Sequence, residues 1–186
     1  HQQLCQSQWQ CISVLAGWGK PSEQAIEFIL SIASAQPLAL IALQDFVIGG
    51  GEGREAVTQK FKALNIPVFK GIRVTELSGL AYQLSPTGLP SDSVHYRVAM
   101  PELQGVSQPH VLALASSAKL DAATGARLSI SQVLSKEVVR LQARVNAWLA
   151  LKTSENAEKK VAIVYYNHPP GRHNIGADNL DVQQSL

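Results

Sequence analysis

Six apolar or aromatic residues, Val161-Ala-Ile-Val-Tyr-Tyr166, run into Asn167-His168-Pro169-Pro170-Gly171. The run is too short for a helix and is rich in β-branched and aromatic residues. It predicts a strand buried on both faces. Two prolines cannot continue a central strand, and Gly171 lets the backbone turn. The polar loop Arg172-His173-Asn174 follows, then Gly176, and Asp178 has the character of a helix N-cap. Strand, glycine loop and helix start are the parts of an open α/β sheet, in which ligands bind at the carboxyl ends of strands. The expected fold class is therefore α/β: a mainly parallel open sheet of flavodoxin-like or Rossmann-like type, with helices on both faces.

Gly171 and Gly176 have the G-x-x-x-x-G spacing of a phosphate loop, but Ala177 and Asp178 stand where Lys and Ser/Thr should follow. Without the lysine no side chain meets a terminal phosphate. Without the hydroxyl there is no magnesium ligand. ATP binding at this loop is rejected, and a tight turn closing a βα unit is its plainer reading.

At 186 residues, 46% hydrophobic and 16% charged, the chain can bury a proper core. A net charge of +2 offers no case for nucleic acid or an anionic membrane. No run approaches the roughly 18 apolar residues of a membrane span. No basic stretch followed by an apolar core opens the chain, as a signal peptide would. Cys5 and Cys11 match no zinc or redox spacing and make no disulfide framework, so a cytoplasmic location is expected. The chain opens at His1 and stops inside a helix start, which reads as an internal piece of a longer protein.

Residues 1–36 form an expected N-terminal helical segment, with a first helix through Leu4, Trp9, Ile12 and Leu15. A second begins near Pro21-Ser22-Glu23. Trp9 and Trp18 read as packing anchors. Residues 37–186 form the α/β domain, with strands expected near 38–43, 66–69, 94–99, 111–114 and 161–166. Gly49-Gly50-Gly51-Glu52-Gly53 is a second glycine cluster, read as a mobile turn, before a helix carrying Val57, Phe61 and Leu64. Leu77 to Leu84 reads as a short helix. Val94, Tyr96 and Val98 alternate with His95 and Arg97, the basis for the strand at 94–99. Residues 115–127 read as an exposed connection. Ser129 and Gln132 have capping-box spacing ahead of a long helix with Ile130, Leu134, Val138, Leu141, Val145 and Trp148 on its core face.

Several of these segments resemble, in order, the cobaltochelatase large subunit and magnesium chelatase H subunit family. They are Leu43-Gln-Asp-Phe46, Leu64-Asn-Ile-Pro-Val-Phe69, Ser85-Pro-Thr-Gly-Leu89 and Val98-Ala-Met-Pro-Glu-Leu-Gln-Gly105. The helix with Arg144 and Trp148, Lys159-Lys-Val-Ala-Ile163, and the loop through Pro170-Gly171 with Asn174-Ile-Gly176 and Leu180-Asp-Val182 complete the set. The resemblance covers about residues 37–186. It departs at Gln104, where an acidic residue is usual. It implies a fragment of the porphyrinoid- and metal-binding large subunit of a metal chelatase, inserting cobalt into a corrin precursor in cobalamin biosynthesis. It further implies AAA+-type ATPase partner subunits that use the ATP, a tetrapyrrole substrate and a divalent metal as substrate. No cofactor is expected on the fragment itself, and the fragment alone is expected to be inactive.

Metal insertion needs a base for the pyrrole protons and ligands that strip water from the ion. His168, His173 and Glu102 are the candidates for catalysis, and the two histidines for metal. Arg172, Asn174, Gly171 and Gly176 are candidates for substrate binding, Arg172 through a rim carboxylate. The plainer readings are loop histidines bonded to backbone or solvent, and a turn carboxylate at Glu102 satisfied by backbone N–H groups. His95 and His110 are weaker metal candidates. Three other functions stay open: a small-molecule-binding α/β module without catalysis, a nucleotide-dependent enzyme, and a related magnesium or iron chelatase or dechelatase subunit.

Overall fold

The computed structural model describes residues 9–32, 37–116, 118–128, 130–162 and 164. It divides into two units, His1–Ala150 and Leu151–Leu186. In the first, helix α1 (Lys20–Ile32) leads to strand β1 (Leu40–Ala42), helix α2 (Gly50–Leu64) and strand β2 (Val68–Ser78). Helices α3 (Gly79–Leu84) and α4 (Ser91–Val94), a π-helical turn (His95–Ala99) and α5 (Met100–Leu103) connect β2 to strand β3 (Val106–Ala115). An exposed hairpin of β4 (Lys119–Leu120) and β5 (Arg127–Leu128), strand β6 (Ser131–Val133) and the long helix α6 (Ser135–Thr153) follow. The described part of the second unit holds a 3-10 turn, Asn156–Glu158.

β1, β2 and β3 are parallel neighbours and β6 is antiparallel to β3, in the order β1-β2-β3-β6. Side chains alternate across the sheet. Leu40, Ala42, Val68 and Val106 face α1 and α2, packing with Ile26, Ile48, Val57 and Phe61. Ala39, Ile41, Phe69 and Leu112 face the other way, onto Val138, Leu141 and Val145 of α6. Helices thus cover both faces, as an α/β sheet requires. Gly71 is the narrow point of the sheet: a Cβ there would run into the side chains of Leu43 and Leu112.

Several expectations are corrected. Residues 94–99 are helical, not extended. Their period-two pattern treated Arg97 as outward, whereas its side chain is buried and ion-paired. Tertiary pairing of this kind overrides local preference. β2 extends to Ser78, because Lys70 is also buried and ion-paired and does not end the strand. Residues 9–16 are not helical. The long helix begins at Ser135, and Gln132 lies in β6, hydrogen-bonded to β3 rather than in a capping box. Ile130 lies outside α6 and is 67% exposed, and Trp148 on α6 is 40% exposed, so the buried stripe is narrower than the apolar sequence. Trp9 packs against α6 and donates to Asn146 Oδ1 at 3.1 Å, but Trp18 is 61% exposed. Val161 and Val164 are exposed and outside any strand, so the burial that a two-sided strand needs is missing there. Residues 163, 165 and 166 lie outside the described residues. No free cysteine occurs among the described residues, so Cys11 gives the thiol argument no support.

Gln104, the departure from the family pattern, has a physical reason. Its Nε2 donates to Ile48 O at 2.8 Å and to Arg54 O at 3.3 Å, while its Oε1 accepts from Ile48 N–H at 2.8 Å. An amide donates and accepts at neutral pH, which an ionised carboxylate cannot do. A carboxylate here would face two carbonyl oxygens without a proton. Gln104→Glu should lower unfolding free energy at pH 7 by about 2 kcal/mol, the cost of unsatisfied buried groups. Part of that loss should return below about pH 5, where the introduced acid protonates and can donate. Urea unfolding at both pH values checks it; a loss independent of pH would contradict it.

Candidate functional site

Beyond the carboxyl end of β1 the chain continues as Leu43-Gln44-Asp45-Phe46. Asp45 sits between two buried cations. Lys70, near the start of β2, has its side chain 1% exposed. Its Nζ donates to Gln44 O at 2.6 Å, Gly71 O at 3.0 Å and Asp45 Oδ1 at 3.3 Å. Three donors meet three acceptors, so the ammonium is fully satisfied. Arg97, from the π-helical turn, donates through Nε to Asp45 Oδ2 at 3.3 Å. Its other two nitrogens grip Glu76 of β2 in a fork, at 3.1 and 2.6 Å. This bidentate geometry is the strong form of the pair. No buried side-chain polar atom among the described residues lacks a partner.

Burial pushes the Lys70 ammonium below its ordinary pKa, and Asp45 opposes that shift. Burial also disfavours the charge on Arg97, but the hydrogen bonds and charges of Glu76 and Asp45 outweigh it and raise its pKa. The hydrogen bond from Arg97 holds the Glu76 carboxyl below the usual carboxylate range.

Aromatic rings cover this network. Phe46 has a φ of 60°, a left-handed backbone that a bulky side chain rarely adopts. Its N–H donates to Tyr96 O at 2.9 Å. Its ring stacks on Tyr96 with centroids 5.0 Å apart and planes at 21°. Trp18 meets Phe46 edge-on at 6.4 Å, and His95 meets Tyr96 edge-on at 5.1 Å. The Arg97 guanidinium lies 5.1 Å from the centre of the Tyr96 ring. The turn that carries these groups closes on a bond from Met100 N–H to His95 O, five residues back. Such π-turns occur often at functional sites.

Of the residues singled out in the sequence, Glu102 is exposed on α5, in the same helical stretch as Arg97. His110 bonds locally through Nδ1 to Gln108 O at 2.8 Å, and His95 packs on Tyr96. His168, Gly171, Arg172, His173, Asn174 and Gly176 lie outside the described residues. Among the described residues no three His, Cys, Asp or Glu side chains are grouped to hold a metal ion. The glycine cluster is no mobile turn: Gly49 and Gly50 are buried, and Gly50 opens α2. The Asp45–Lys70–Glu76–Arg97 network escaped sequence reasoning. Its visible signals were an acidic residue just past an apolar strand and a lysine inside the apolar run Val68 to Ile72.

The family described as CobN/Magnesium Chelatase matches the chain over residues 1–186. The chain belongs to the CobN/magnesium chelatase family. Its match includes residues 1–36, for which the sequence alone offered no resemblance. Two rice proteins, from Oryza sativa subsp. indica and subsp. japonica, carry the name magnesium-chelatase subunit ChlH, chloroplastic. Each is 29% identical to the chain over 181 residues. The similarity covers 94% of this chain but only 12% of either relative. No solved structure matches the chain significantly. Among the described residues no helix is long and apolar enough to cross a membrane.

Glu76 supplies a pH test of the network. Its folded-state pKa is depressed, so its contribution to stability is present above the unfolded carboxylate value, about 4.3. That contribution is lost as pH falls through the folded value. Glu76→Gln should therefore flatten the acid limb of a stability-against-pH curve below about pH 4.5. Thermal melts from pH 3 to pH 7 check this; an unchanged acid limb would show that the ion pair contributes nothing.

Proposed function

We propose that this chain is part of the large subunit of an ATP-dependent tetrapyrrole metal chelatase, the subunit that holds macrocycle and metal. The observation that carries the reading is the family match along the whole chain. AAA+-type ATPase subunits are the proposed partners. The loop at Gly171–Gly176 lacks the lysine and hydroxyl of a nucleotide site, which agrees with ATP being used elsewhere. The divalent metal is a substrate rather than a resident cofactor. For its identity we propose cobalt, inserted into a corrin precursor in cobalamin biosynthesis, on the likeness of Val161–Gly171 to the cobaltochelatase segment. Magnesium insertion has its own support in the names of the two rice relatives. The proposed location is the cytoplasm.

Within that reading, Asn167–Gly176 presents the side chains that meet substrate. Pro169 and Pro170 have fixed φ angles, which would hold His168, Arg172, His173 and Asn174 at reproducible positions. Arg172 suits a rim carboxylate, and the histidines suit a metal ion or a pyrrole proton. Glu102 is a further proposed catalytic carboxylate.

The test is metal insertion by the full-length subunit with its ATPase partners, run with Co²⁺ and a corrin precursor and with Mg²⁺ and a porphyrin. ATP-dependent metallation is expected, fastest with cobalt. A magnesium preference would replace the metal assignment, and no metallation of either macrocycle would contradict the chelatase reading. In the same assay His168→Ala, Arg172→Ala and His173→Ala should slow insertion while stability moves by less than about 0.5 kcal/mol. Activity that falls only in step with lost folding would reduce the loop to a turn.

A further inference from the structure

The aromatic cluster over the ionic network has no role in the chemistry above. A bulky residue at φ 60° costs of order 1–3 kcal/mol and persists only where its surroundings enforce it. Here they do. Asp45 is drawn inward by Lys70 and Arg97, and the N–H of Phe46 is fixed on Tyr96 O. Phe46 is therefore turned outward and remains 41% exposed. Trp18 rests on bare backbone: a Cβ at Gly50 would lie 3.6 Å from its six-membered ring. Gly50 has a φ of 66°, so glycine suits both the turn and the approach of the indole. Trp18 still leaves 61% of its surface open.

Tyr96 is thus stacked behind Phe46 at 5.0 Å, and Trp18 stands edge-on to Phe46 at 6.4 Å, an aromatic corner beside the carboxyl end of a parallel strand, where α/β sheets take ligands. A rigid aromatic face binds planar conjugated rings by stacking, and the Arg97 guanidinium, 5.1 Å from the Tyr96 ring centre, backs the Tyr96–Phe46 stack. Lys20, two residues after Trp18, is exposed and is a cation suited to a carboxylate substituent. We infer that the exposed face of Phe46, backed by Tyr96 and walled by Trp18, is a stacking platform for the face of a planar, carboxylate-bearing macrocycle. The inference rests on the tetrapyrrole reading above and names a contact surface for that substrate.

The strain supplies the test. Glycine adopts φ 60° freely, so Phe46→Gly removes the platform's central ring without disturbing the turn. In the full-length subunit, titrated with deuteroporphyrin IX and followed by porphyrin absorbance, Phe46→Gly should keep the wild-type melting temperature and weaken binding about five- to tenfold. Trp18→Phe should bind nearly as wild type. Trp18→Leu, apolar but without a π-face, should bind about fivefold more weakly. If wild type binds the porphyrin and all three variants bind it equally, the platform is wrong and the chelatase reading stands. If wild type binds no porphyrin, both fall. If the variants keep porphyrin affinity but lose association with the ATPase subunits, the patch is a protein-docking surface and the platform is overturned.

Discussion

Asp45 is the carboxylate on which the described α/β unit turns. Lys70 and Arg97 come from a strand and a helical turn, and both are nearly fully buried. An unpaired buried ammonium or guanidinium is costly enough that the surrounding chain must bring it a partner. Asp45 answers both, Glu76 completes Arg97, and backbone carbonyls complete Lys70. That joint demand fixes the chain just past β1, locks the π-helical turn against β2, and drives Phe46 into its unusual backbone. The network is fully paired, and it braces the chain beyond the carboxyl end of β1.

The legible parts of the fold were those governed by apolar periodicity. Leu38–Leu43, Ile66–Phe69 and Val111–Leu114 contain or overlap the three parallel strands, and Val57, Phe61, Val138, Leu141 and Val145 are buried on α2 and α6. Hydrophobic burial is local in sequence and can be read from spacing. What spacing cannot show is a charge that is inside because its partner is distant. Arg97 lies 52 residues from Asp45 and 21 from Glu76. Pattern reasoning placed it outward, and the segment from Val94 to Ala99 became a strand. Lys70 hid the length of β2 in the same way. Gln104 read as a simple departure from the family until its two-way bond to Ile48 showed why an amide is required.

Family membership and brace fit together. Leu43–Phe46 and Val98–Gly105, two of the segments that carried the resemblance, contain Asp45 of the ionic network and the Gln104 clamp. These stretches hold a loop at the carboxyl end of a parallel strand in a defined shape. Such preorganisation suits the macrocycle-binding role proposed above, since loosely held groups bind and position poorly.

A double-mutant cycle between Asp45 and Lys70 tests the brace most directly. Asp45→Asn, Lys70→Met and the double variant would be compared by urea unfolding. Asp45→Asn alone should destabilise by about 3 kcal/mol, because it leaves buried Lys70 without a counter-ion and Arg97 with Glu76 alone. Lys70→Met should recover part of that loss, giving a coupling energy above about 1 kcal/mol. Effects that add to within about 0.5 kcal/mol would mean that the two residues act independently, and the brace would be contradicted.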